Sequence, residues 1–116
     1  MSLIATVLTA FVAFSHFGFL VIEMFFWTTP FAQSRFGTTP EFAEASKVLA
    51  ANQGLYNGFL AAGLVWALIS GKQDVAIFFL ACVIVAGVYG AVTVKPRIFF
   101  VQAVPALLAL FAVLAA

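Results

Sequence analysis

VAIFFLACVIVAGVYGAVTV, residues Val75 to Val94, runs without a single charged side chain. Roughly 17 to 25 apolar residues are what an α-helix needs to cross a bilayer, and the run is too long for an ordinary strand. Three further apolar runs accompany it, at about Leu3 to Trp27, Val48 to Ser70 and Phe99 to Ala115. Composition points the same way. Of 116 residues, 66% are hydrophobic and 8% charged, against about 25% charged in a soluble domain. Such a chain cannot cover a water-facing surface, so its expected solvent is lipid. The predicted fold is an all-α integral membrane protein. Four transmembrane helices, at about 3–27, 40–70, 75–94 and 99–115, form an up-down bundle that is one domain, 1–116.

Several function classes drop out early. Formal charge is +1, with no basic run or patch, which excludes nucleic acid as a partner. The single cysteine, Cys82, lies in mid-span and reads as a small buried hydrophobe, because one thiol forms no internal disulfide and no metal-ligand spacing surrounds it. The first span lacks a basic start and a small-residue cleavage site and is too long for a secretory signal, so it is expected to stay as a mature helix.

Loops set the orientation. Arg35 and Lys47 precede the second span and Lys95 and Arg97 follow the third, whereas the GKQD loop on the other side offers only Lys72. The positive-inside rule then places the first and third loops in the cytoplasm of a bacterial inner membrane, with both termini outside. Trp27 and Trp66, near span ends, fit interfacial anchoring.

Against this apolar background, AANQGLYNGF, residues Ala50 to Phe59, concentrates Asn52, Gln53, Tyr56 and Asn57 in the first turns of the embedded second helix. At about 100° per residue, Asn52 and Tyr56 are about 40° apart, and Gln53 with Asn57 widens the arc to about 140°. By connectivity Glu23, Tyr89 and Gln102 belong to the same leaflet. The candidate ligand-binding set is therefore Glu23, Asn52, Gln53, Tyr56, Asn57, Tyr89 and Gln102, arranged as a cytoplasm-facing polar pocket. Thr9, His16 and Glu23 share a heptad stripe on the first helix, with His16 and Glu23 about 10 Å apart along the axis. Glu23 and His16 are the candidates for proton coupling, since an ionisable group inside a membrane marks function. The competing reading of the cluster is packing, because Asn and Gln also join neighbouring helices.

Punctuation is equally informative. The first loop repeats Thr-Thr-Pro, at Thr28 to Pro30 and at Thr38 to Pro40. Pro30 is expected to stop the first helix. Pro40 is expected to start the second, with Thr39 as N-cap and Glu41 near the positive end of the helix dipole. FAQSRFG between them is read as an interfacial connector. In QAVP, Pro105 frees the carbonyl of Val101 and kinks the last helix, while Ala86, Gly87 and Gly90 let helices approach closely.

ANQGLYNGFLAAGL, VKPR and QAVPALLAL together resemble an uncharacterised bacterial family of small four-span membrane proteins, a domain of unknown function. More distantly the layout is similar to the MAPEG superfamily of trimeric four-helix membrane proteins with cytoplasm-facing sites. That likeness rests on Asn52 at the start of the second helix, the preceding acidic Glu44, and Tyr89 followed by Pro96 among basic residues. It implies glutathione as ligand and a homo-oligomer, a trimer first and a dimer second. The MAPEG second-helix pattern R-x-x-R-N-x-x-E, however, falls on Val48, Ala51, Asn52 and Leu55. Both arginines and the glutamate that hold glutathione are gone, and aliphatic side chains do not replace a bidentate guanidinium.

Three functions follow from these residues. One is a MAPEG-like pocket for a small lipophilic or thiol-containing ligand, with a tyrosine able to donate to an oxyanion or thiolate. The second is a small proton-coupled exporter built on Glu23. The third is a structural or accessory membrane protein whose polar residues only fix packing.

Overall fold

A computed structural model describes residues 1–115. They form α1 (Leu3–Phe25), α2 (Pro30–Phe36), α3 (Pro40–Ser70), α4 (Gln73–Thr93), a π-helical turn (Phe99–Ala103) and α5 (Val104–Leu114), with no strand among the described residues. The all-α expectation holds. Two helices, α1 and α4, are long and apolar enough to cross a membrane, and only 28% and 22% of their most apolar windows are buried. A helix serving as the core of a water-soluble fold would be mostly covered. α3 has the length, but Asn52, Gln53 and Asn57 interrupt its apolar character, and Phe99–Leu114 is a shorter apolar helix.

The two Thr-Thr-Pro copies do the same job, which corrects the expectation for the first. α1 already ends at Phe25, and Pro30 opens α2 with Thr29 as its N-cap, whose Oγ1 accepts from the Ala32 N–H at 3.3 Å. In the second copy Thr39 Oγ1 accepts from the Phe42 N–H at 3.1 Å and Pro40 opens α3. Proline suits both places because its missing N–H is one the first turn leaves unpaired anyway. α2 then closes on Gly37, whose φ of 68° is the left-handed conformation that glycine adopts without steric cost.

The chain divides into two compact units, one of Met1–Phe14 with Leu60 onward and one of Ser15–Phe59. In the first, Ala5, Val12, Ala13, Leu64, Leu80, Val83, Ala106, Ala109 and Val113 form the core. α4 enters it through Ala76, Leu80, Val83 and Gly87, spaced four, three and four residues apart, so they form one stripe. Gly87 lets the π-turn come very close: a Cβ there would stand 2.7 Å from the backbone nitrogen of Ala103. Gly90 similarly seats Ile98. The disturbance expected at Pro105 takes the form of that π-turn, where the Val104 N–H bonds the Phe99 carbonyl five residues back.

The second unit joins the end of α1, α2 and the start of α3. Here Gly54 and Gly58 form a G-x-x-x-G notch. A Cβ on Gly54 would lie 2.8 Å from Met24 Cγ and 3.0 Å from Glu23 Cβ, and one on Gly58 would lie 2.5 Å from Leu20 Cδ1. Trp27 ties the connector down, donating from Nε1 to Ser46 Oγ at 3.1 Å while its ring leans on Phe36 with centroids 5.1 Å apart.

In both units the large side chains point outward. Leu3, Ile4, Phe14, Phe78, Val85, Val92 and Phe111 are exposed, whereas most of the buried hydrophobic residues are alanines. The small buried residues let the helices pack closely, and most of the bulky apolar area is left on the outside.

Candidate functional site

A part-buried polar contact within the second unit joins α1 to α3. Asn57 Nδ2 donates to Glu23 Oε1 at 2.5 Å, and Asn57 is only 6% exposed. The glycine notch explains why the bond forms there: with no side chain at Gly54 or Gly58, the backbones approach closely enough for a short amide to reach a carboxyl group. The amide donor satisfies a carboxyl oxygen that the surrounding Leu20 and Met24 cannot.

The rest of the cluster is turned elsewhere. Asn52, Gln53 and Tyr56 are exposed, Tyr56 with its ring edge-on to Phe59 at 5.8 Å. An arc of about 140° is too broad for one helix contact, so the polar face expected from the sequence divides into a buried Asn57 and an exposed stripe of Asn52, Gln53 and Tyr56. On α1 the stripe of Thr9, His16 and Glu23 is turned inward, with Thr9 and His16 buried and Glu23 partly so. His16 packs edge-on to Phe19 at 5.3 Å. The Thr9 hydroxyl is buried without a hydrogen-bond partner.

Tyr89 and Gln102 belong to the first unit. Tyr89 is 70% exposed, and its carbonyl accepts from Thr93 Oγ1 at 2.7 Å; Gln102 is half-buried within the π-turn. Two open grooves run along α4, one lined by Val85, Val88, Tyr89, Val92 and Thr93, the other by Phe78, Ala81, Cys82, Val85, Ala86 and Tyr89. Both are apolar and neither is bordered by the α3 cluster. Cys82, expected to be buried, is only partly so, because the small Ala81 and Ala86 leave it open to this groove. Among the described residues, no group of His, Cys, Asp and Glu is placed to hold a metal ion.

Sequence reading missed the Gly54–Gly58 notch, although G-x-x-x-G within an apolar helix is a recognised signal of close helix contact. The connector is likewise a helix, α2, and the repeated Thr-Thr-Pro is the start signal that marks it.

Fold and site together define a small all-helical protein with two helices fit to cross a membrane and one buried amide–carboxyl pair. The chain belongs to the family described as Protein of unknown function (DUF1304), whose model matches residues 10–114. It is 30% identical over 114 residues to the uncharacterized protein YpaA of Lactococcus lactis subsp. lactis (strain IL1403), covering 95% of this chain and 96% of that one. No solved structure matches it.

Proposed function

We propose that the chain is a four-span protein of the bacterial cytoplasmic membrane, with both termini outside. In this reading it assembles into a MAPEG-like homo-oligomer, a trimer before a dimer, that receives a small lipophilic ligand on the stripe of Asn52, Gln53 and Tyr56. One observation carries it: these three residues are exposed on a helix that continues into Phe59, Val65 and Ile69, themselves exposed. A free amide in a hydrocarbon-like solvent costs about 4 to 8 kcal/mol, so the stripe calls for an occupant with a polar head or for a neighbouring copy of the chain. Val48, Ala51 and Leu55 stand where glutathione would need charge, which argues for a ligand with a neutral hydroxyl, amide or thiol head.

The Glu23–Asn57 bond favours a second reading, the proton-coupled exporter. An intramembrane carboxyl group with one amide partner is the kind of group that carries protons across bilayers.

Thermal-shift screening of the purified protein separates the readings. A ligand at about 100 times its dissociation constant adds about 2.7 kcal/mol of stability. The pocket reading expects that gain from a neutral lipophile, lost in Asn52→Ala and Tyr56→Phe and kept in Glu23→Gln. Loss in Glu23→Gln alone supports the exporter. No shift with any ligand, together with a monomer in native mass spectrometry, refutes the intersubunit site and leaves the packing role.

A further inference from the structure

The connector between α1 and α3 is more built than a linker needs to be. α2 is capped at both ends, by Thr29 and by Gly37. One side of it is fixed to the protein: Ala32 is fully buried and, one turn on, Phe36 leans on Trp27. Another side carries Phe31 and, one turn on, Arg35, both exposed, Phe31 to 60%. Phe25, Phe26 and Phe42, in the flanking residues, are exposed as well. Four of these five side chains are phenylalanines, and a connector facing water has no use for them.

The level of this patch is marked from within its own unit. Trp27, an indole of the kind enriched at membrane surfaces, donates to Ser46 Oγ at 3.1 Å, and Phe36 of α2 leans on its ring. α2 is thereby held at the level of Trp27.

We propose that α2 is an interfacial anchor that lies in the plane of the membrane, its Phe31 in the acyl boundary and Arg35 reaching the phospholipid phosphates of the bilayer that α1 and α4 cross. The inference rests on the membrane-spanning reading above. A short helix with an apolar side chain below and a long cationic one reaching to the headgroups follows the same physics as other interfacial helices. Its role is to fix the height at which α3 enters lipid, and with it the depth of Asn52 and Tyr56.

The single native cysteine makes the test direct. In a Cys82→Ala background, nitroxide labels are attached at Phe31→Cys, at Val85→Cys on the exposed face of α4, and at Gln73→Cys at the first residue of α4. The protein is reconstituted in phosphatidylcholine–phosphatidylglycerol vesicles, and collision rates are read by power saturation with oxygen, which partitions into lipid, and with a water-soluble nickel chelate. The label at residue 31 is expected to show an oxygen-to-nickel ratio several-fold above that at residue 73 and below that at residue 85. A ratio at residue 31 equal to that at residue 73 overturns the anchor, as does a label shielded from both reagents, which would mean that protein covers the site. If the label at residue 85 itself reads as aqueous, it is the membrane-spanning reading that fails.

Discussion

Gly87→Ala adds one methyl group where α4 meets the π-turn. Its Cβ would lie 2.7 Å from the Ala103 nitrogen, 2.9 Å from Ala103 Cβ and 3.0 Å from Ala103 Cα. Carbon contacts are comfortable at about 3.5 to 4.0 Å, so the two segments must part by roughly 1 Å. No side chain can rotate out of the way, because two of the three atoms are backbone. Overpacking of this kind costs about 1 to 3 kcal/mol, while replacing glycine by alanine in a helix returns about 1 kcal/mol of propensity. Gly18, in α1, provides the reference: a Cβ there meets nothing within 4 Å. Both substitutions share the propensity gain, so the difference between them isolates the clash. Unfolding of the two variants in mild detergent should place Gly87→Ala about 1 to 3 kcal/mol below Gly18→Ala. Equal stability of the two would refute the close approach of α4 to the π-turn.

Other expectations follow from the second unit. A double-mutant cycle on Glu23→Ala and Asn57→Ala should give a coupling of about 0.6 to 1.7 kcal/mol, the range for hydrogen bonds between membrane helices, and a coupling of zero would mean the pair is not formed. Thr29→Ala and Thr39→Ala should each cost about 1 kcal/mol, measured by thermal unfolding, because both residues cap helices; a neutral Thr29→Ala would restore the view of Pro30 as a mere stop. Cysteine labels in GKQD and VKPRI, in the Cys82→Ala background, should react from opposite sides of intact cells with VKPRI protected. Labelling of both loops from outside would indicate dual topology and strengthen the exporter reading.

Helix content and most boundaries were legible because apolar run length and proline punctuation act locally. α3 and α4 begin within two residues of their predicted starts, and α3 ends at Ser70 as read. α1 stops two residues earlier than expected, at Phe25, and leaves Trp27 free to reach Ser46. That contact joins residues far apart in sequence, and no local pattern announces it. The polar cluster was legible as a cluster but not in its division. Angle alone shows that Asn57 stands far round from Asn52; which of them meets α1 depends on Gly54 and Gly58, whose effect is to permit an approach. Pairing Glu23 with Asn57 was likewise beyond periodicity, because period locates a residue on its own helix and says nothing of the helix opposite.

An interior of alanine and glycine surrounded by phenylalanine, leucine and valine changes what substitution means along this chain. Outward positions such as Phe14, Phe78 and Val85 are largely exposed, so apolar side chains of other sizes should serve there at little cost. At Ala76, Ala103, Ala106 and Ala109, by contrast, a larger side chain would have to enter a place that is fully buried. Selection on such a protein would be read most clearly in its smallest residues, and relatives with very different bulky side chains should still carry the same spacing of small ones.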